Sequence, residues 1–149
     1  MNLLSRRSLL AIAAVTDIAL YGRTMPVSAK ALAARHELPP RHLEPILQAL
    51  VRQGILKGLR GPRGGYELAR ERRRITAGDI VRVVMTMEED DGAAPIPQSR
   101  LVDRVIDPAI RKGSKAFLQE LDAVSVDDLC HQANTVGAVE NRETSDFTI

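Results

Sequence analysis

Apolar residues recur over residues 5–21 in one broad helical stripe: Leu9, Leu10, Ile12, Ala13, Val15, Thr16 and Ile18 to Leu20. Ser5 stands at the N-cap position and Gly22 ends the run. The inward set is read as Leu9, Ile12, Ala13 and Thr16. After a turn at Pro26, Ser28 caps a short helix, AKALAARH, with Ala31, Leu32 and Ala34 inward. The prolines of ELPP break the chain, and Pro40 suits the first turn of a third helix that ends at Gly54. Its inward positions are Leu43, Ile46, Leu47 and Leu50. Pro45 lies inside this helix, 40–53, and predicts a kink near Arg41.

Two β-type runs follow, 55–60 and 65–69, around the turn sequence GPRGG. Thr76 and Asp79 then form a capping-box pattern before Ile80, Val81, Val83 and Val84. Residues 88–99 are acidic and broken by Pro and Gly. Residues 100–123 are helical in pattern, kinked or divided by Pro108, and Ser125 caps a last segment, VDDLCHQA. Helix, short helix, helix, hairpin, helix is the order of a winged helix-turn-helix, with the hairpin as wing. The expected fold is mainly α with a small β-hairpin wing.

Composition sharpens this. The 149 residues include two Phe, two Tyr and no Trp, so the core must be aliphatic. Cys130, the one cysteine, excludes an internal disulfide and any metal centre built only from the chain's own thiolates. No apolar run reaches the length of a membrane span, and no membrane partner is expected. The net charge of +2 hides an asymmetry: residues 1–87 hold 15 basic and 6 acidic side chains, residues 88–149 hold 6 and 13. A basic front half suits a polyanion such as double-stranded DNA. No phosphate loop, carboxylate pair or nucleophilic triad is present, so no enzyme is read.

The stretch LSRRSLLAIAAV permits a second reading, a twin-arginine export signal with ALA at 31–33 as cleavage site. Cleavage there would discard the first helix and most of the second. The helix reading keeps both, and with it a cytoplasmic protein. The alternatives, an exported small helical protein or a winged-helix protein-interaction module, predict a processed N-terminus and a weak salt dependence of DNA binding.

Residues 26–87 closely resemble the Rrf-two family of bacterial transcription regulators. RHLEPIL in the third helix, GILKGLRGPRGGYELAR over the wing and ITAGDIVR after it carry the resemblance, in order and at the right spacing. The resemblance implies a homodimeric, sequence-specific DNA-binding regulator, a repressor reading a palindromic operator. It also divides the chain. Residues 1–87 form the DNA-binding domain and 88–98 an acidic linker. Residues 99–130 supply a long C-terminal dimerisation helix and a short terminal helix, and 131–149 a polar, disordered tail. Leu101, Val105, Ile106, Ile110, Phe117 and Leu121 are the dimer-forming positions so implied. Iron–sulfur members carry three cysteines in the loop after the DIVR helix. Here that loop, residues 88–106, has none, so no cofactor is expected and the effector, a small molecule or a protein, stays open.

The chemistry of the candidate residues fits DNA. Arg41 can fork onto a guanine edge, His42 stands beside it, and Glu44 can accept from a cytosine amino group. Glu44 also matches a family glutamate that tunes site choice. In the wing, Arg60 and Arg63 suit a narrow minor groove, while Gly64 and Gly65 permit a tight turn and close backbone approach. Arg60 matches the family's wing arginine best. Tyr66 has two readings, a phosphate contact or a brace against the core. Ser28, Lys30, Arg35 and the pair Arg6–Arg7 are phosphate candidates. The cluster RERRR (70–74) either follows the DNA backbone or solubilises a loop, and the second is preferred. Cys130 is read as a small buried residue.

Overall fold

In the computed structural model, which describes residues 2–92 and 94–139, helix α1 (Arg6–Tyr21) starts where Ser5 accepts from the Ser8 amide at 3.1 Å. Its buried face is Ser8, Ala11, Ala14, Val15, Asp17, Ile18 and Ala19. The expected inward set is therefore corrected: Leu9 is exposed, and Ile12, Ala13 and Thr16 are half-buried along a groove beside the last helix. The stripe is broad enough to offer two faces. The alanine-rich one takes the core because small side chains let neighbouring helices approach.

Helix α2 (Ala29–Arg35) is capped by Ser28, whose hydroxyl accepts from the Ala31 amide at 3.1 Å. It buries Leu32 and Ala33, while Ala34, expected inward, faces solvent. A seven-residue helix reaches the core along one narrow line only. The third helix divides at Leu43 into a 3-10 turn, Pro40–His42, and helix α3 (Glu44–Arg52). Pro45 thus opens α3 instead of kinking it. A proline in the first turn removes an amide that has no helical partner there anyway.

Strands β1 (Leu56–Leu59) and β2 (Gly65–Leu68) pair antiparallel, with Leu56 opposite Leu68 and Leu59 opposite Gly65. Val27 extends the hairpin by exchanging backbone hydrogen bonds with Tyr66 at 2.9 and 2.8 Å. Helix α4 (Ala77–Asp90) begins in the expected capping box, with Asp79 N to Thr76 Oγ1 at 3.1 Å and Thr76 N to Asp79 Oδ2 at 3.0 Å. It runs on through Glu88 to Asp90, so the acidic run starts inside a helix and not in a linker.

Residues 100–122 make one continuous rod: a π-helical stretch, Val102–Ile106, leads into α5 (Asp107–Asp122). Pro108 stands in the first turn of α5, directly after the π-helical stretch, so the expected interruption is a change of helix type at this point. Helix α6 (Val126–Thr135) has a second capping box, Ser125 with Asp128. Backbone and side-chain bonds from Ser125 hold the Asp128 carboxyl below the ordinary carboxylate range. Residues 131–135 belong to this helix and not to a tail, and the expected disorder of 140–149 lies outside the described residues.

The core is one aliphatic cluster drawn from α1 to α4 and β1, and Val126 and Cys130 of α6 are fully buried in it. The chain returns to reach it. Ala77 N donates to Val124 O and Val126 N to Ile75 O, each at 2.8 Å. At the same place Arg82 forks onto Asp122 at 2.7 and 2.8 Å, which lowers the Asp122 pKa and raises that of Arg82. A Cβ at Gly78 would run into the Asp122 carboxylate, so the glycine lets α5 close on α4. Elsewhere the rod has no fully buried residue: of the expected dimer positions, Leu101, Val105, Ile106 and Ile110 are exposed, and Phe117 and Leu121 are half-buried.

Candidate nucleic-acid interface

The 3-10 turn and α3 are pinned from below by Leu43, Ile46, Leu47 and Leu50, each at most 2% exposed. That leaves Arg41, His42, Glu44 and Pro45 outward at the N-terminal end of α3, the end that meets base edges in a helix-turn-helix. Gln48 and Arg52 are exposed too. They follow Glu44 at four-residue intervals and so share its face, a signal the sequence reading passed over. Glutamine is a standard partner for adenine.

Two clefts lie in the basic half, one joining this face to α1 and one joining α2 to the wing. One, of about 280 Å³, is lined by Arg6, Arg7, Arg41 and His42 over Leu10, Pro45 and Ile46. The start of α1 therefore lies beside the recognition turn. The other, of about 240 Å³, brings Ser28 and Ala31 of α2 together with Pro62, Arg63 and Gly64 of the wing. Lys30 is exposed on α2 nearby in sequence.

The wing tip is closed by Gly64 N donating to Gly61 O at 2.9 Å, with Gly61 at φ 106, a conformation open mainly to glycine. A Cβ at Gly65 would lie 2.5 Å from Val27 O. The glycine permits the close backbone approach that docks the wing on the segment entering α2. Arg60 and Arg63 stand exposed at the tip. Tyr66 is half-buried and packs against the core, which is the bracing reading.

Other expected phosphate contacts are engaged within the chain. Arg35 binds Asp17 through Nε at 2.9 Å and Nη2 at 2.6 Å, and its guanidinium lies 4.2 Å from the centre of the Tyr21 ring. His36 Nε2 meets the same carboxylate at 3.0 Å. Asp17 is 5% exposed, so this is a buried pair that fastens α2 to α1. Its cue was an acid within an apolar helix. Arg72 of RERRR is also committed, at 2.7 Å from Asp127 of α6, which Arg73 approaches at 3.7 Å. The preferred reading of RERRR as loop solubilisation is corrected for Arg72, which anchors α6, while Arg70, Glu71, Arg73 and Arg74 are exposed. Cys130 lies under Arg72, and burial pushes its thiol pKa up.

Arg7 carries an exposed pair with Asp91 at 2.7 Å. Asp91 competes with any phosphate for that guanidinium. Asp91→Asn is expected to tighten DNA binding about two- to fivefold at low salt and to steepen the salt dependence by about one unit. Fluorescence anisotropy across a salt series measures both. An unchanged slope would mean that Arg7 does not reach the DNA.

A family model described as an iron-dependent transcriptional regulator, Rrf2, matches residues 4–132. The chain belongs to the Rrf2 family. It is similar to slr0846 of Synechocystis, named as an HTH-type transcriptional regulator, with 31% identity over 92% of this chain and 93% of that protein. Protein rrf2 of Nitratidesulfovibrio vulgaris is 28% identical over 88% of this chain and 89% of its own length. Among solved structures, T. potens IscR superposes with a TM-score of 0.70 at 29% identity, covering 95% of each chain. CymR of B. subtilis superposes at 0.65 and 27% identity, covering 89% of this chain and 98% of its own. The chain is thus a DNA-binding transcriptional regulator of the Rrf2 family with the expected winged-helix fold, and not an enzyme.

The iron named in the family description meets no fitting donor set here. Residues 88–106 contain neither cysteine nor histidine, and Cys130 is buried in the core. Among the described residues no group of three His, Cys, Asp or Glu can hold a metal ion. None of their helices is long and apolar enough to cross a membrane.

Proposed function

We propose that the protein is a homodimeric cytoplasmic repressor reading a palindromic operator through Arg41, His42 and Glu44, with Arg60 and Arg63 of each wing in the flanking minor grooves. Pro40 opens the recognition turn and Gly64, Gly65 and Tyr66 hold the wing. Ser28 and Lys30 attach to phosphates. The observation that carries the reading is the outward placement of Arg41, His42 and Glu44 over a fully buried leucine, with Arg6 and Arg7 beside them. The exposed stripe from Leu101 to Ile110 supports the dimer, since single-chain packing leaves it uncovered. Two-fold symmetry then sets half-sites about one helical turn apart.

Selection of genomic fragments by the purified protein at physiological salt, followed by sequencing, tests this. The expected result is a palindromic motif in a few promoters, with affinity falling steeply as salt rises. Arg60→Ala should weaken binding to the selected site by roughly 1–3 kcal/mol. Random fragments with a flat salt dependence would instead favour a protein-interaction module.

A further inference from the structure

Behind the wing, on the side of α1 away from the recognition turn in sequence, lies a cleft of about 630 Å³. Its apolar lining is Ile18 and Ala19 of α1 and Leu68 of β2. Four guanidinium groups line the same space: Arg23, Arg70, Arg72 and Arg73. Three carboxylates share it, and two are already matched. Glu67 pairs with Lys57 across the hairpin at 2.8 Å, and Asp127 takes Arg72 at 2.7 Å. Arg23 and Arg70 pair with no carboxylate among the described residues; the nearest partner of Arg70 is the Gly54 carbonyl, 3.3 Å from Nε. Arg73, 81% exposed, is held loosely at 3.7 Å from Asp127.

The geometry points to a site for a small polyanionic metabolite, a short carbon skeleton bearing two or more carboxylate or phosphate groups. Guanidinium forks match such groups two bonds at a time. The apolar lining fits the skeleton between them. Glu71, exposed among the same residues, lowers the net positive charge of the cleft, so the ligand's charge is matched by the arginines and not by this side chain.

The position makes this an effector site. One ligand would touch β2 of the wing, the end of α1, and the Arg72–Asp127 link that anchors α6. It would draw Arg70 and Arg73 inward and stiffen the wing against the C-terminal part of the chain. That regulatory consequence rests on the DNA-binding reading above; the binding itself does not.

Citrate and pyrophosphate, titrated into the full chain at constant ionic strength against a chloride control, are the probes. Amide NMR shifts give the response. Saturable shifts centred on Leu68, Arg70 and Glu71 are expected with either probe. The double variant Arg23→Ala/Arg70→Ala should bind at least tenfold more weakly. Arg60→Ala/Arg63→Ala should bind the probes like the parent, and the first variant should bind DNA like the parent. Shifts that never saturate, that centre on Arg41 and Arg60, or that persist unchanged in Arg23→Ala/Arg70→Ala would overturn the proposal. Because DNA affinity is read separately, neither reading can fail in the other's place.

Discussion

Replacing Asp17 by alanine is expected to cost about 3–5 kcal/mol of folding stability, the range for breaking a buried ion pair from one side. The carboxylate is 5% exposed and receives two bonds from Arg35 and one from His36. Without it a guanidinium with only 16% of its surface exposed stays under Tyr21 with its main partner gone. For a chain of this size the loss corresponds to roughly 10 °C or more in Tm. Thermal unfolding measures it, and Asp17→Asn, which keeps an acceptor but loses the charge, should fall between. DNA affinity should drop as well, since α2 is fastened to α1 at this point and Ser28 and Lys30 ride on α2. A Tm within 2 °C of the parent would show that Tyr21 stacking and the α2 leucine hold the two helices without the pair.

This feature also marks where reading the sequence stops. Locally coded features were legible. Ser5, Ser28, Thr76 and Ser125 cap where a hydroxyl before an apolar run should cap, and the glycines of the wing turn where a hairpin needs them. The fold followed from the order of those elements. Pairings across the chain were not legible: Asp17 with Arg35, Arg72 with Asp127, Arg7 with Asp91. Each joins residues whose spacing carries no period, so the sequence points Arg35 and Arg72 to DNA or solvent, whereas both hold helices together. Helix boundaries near prolines failed for a related reason. Pro45 and Pro108 each break an ideal helix on paper. In the folded chain one opens α3, and the other sits directly after a π-helical stretch, where the helix changes type. On the candidate interface, the outward set around Arg41 was readable because the buried leucines fix the phase of α3. The link to Arg6 and Arg7 needed the fold.

Ile106→Asp/Ile110→Asp should convert the proposed dimer to a monomer and weaken binding to a palindromic site by two orders of magnitude or more. Both side chains are exposed, 44% and 64%, on a rod with no fully buried residue. Two carboxylates should therefore leave the fold of the single chain intact. Removing everything after residue 98, the obvious way to delete a dimer helix, tests something else. Val126 and Cys130 are fully buried with α1, and Val124 and Val126 bond the backbone at the start of α4. That truncation opens the core and would confuse unfolding with dissociation. The point variants separate them: light scattering gives the mass, thermal unfolding the stability, and anisotropy the affinity. In a dimer the second half-site binds at an effective concentration near the millimolar range, so losing the partner removes that whole advantage. A half-site duplex should be bound almost as before. If the variant keeps the mass of a dimer, the apolar stripe of α5 does not form the interface, and the α1–α6 groove lined by Leu9, Ile12, Leu129 and Val136 is the next surface to charge.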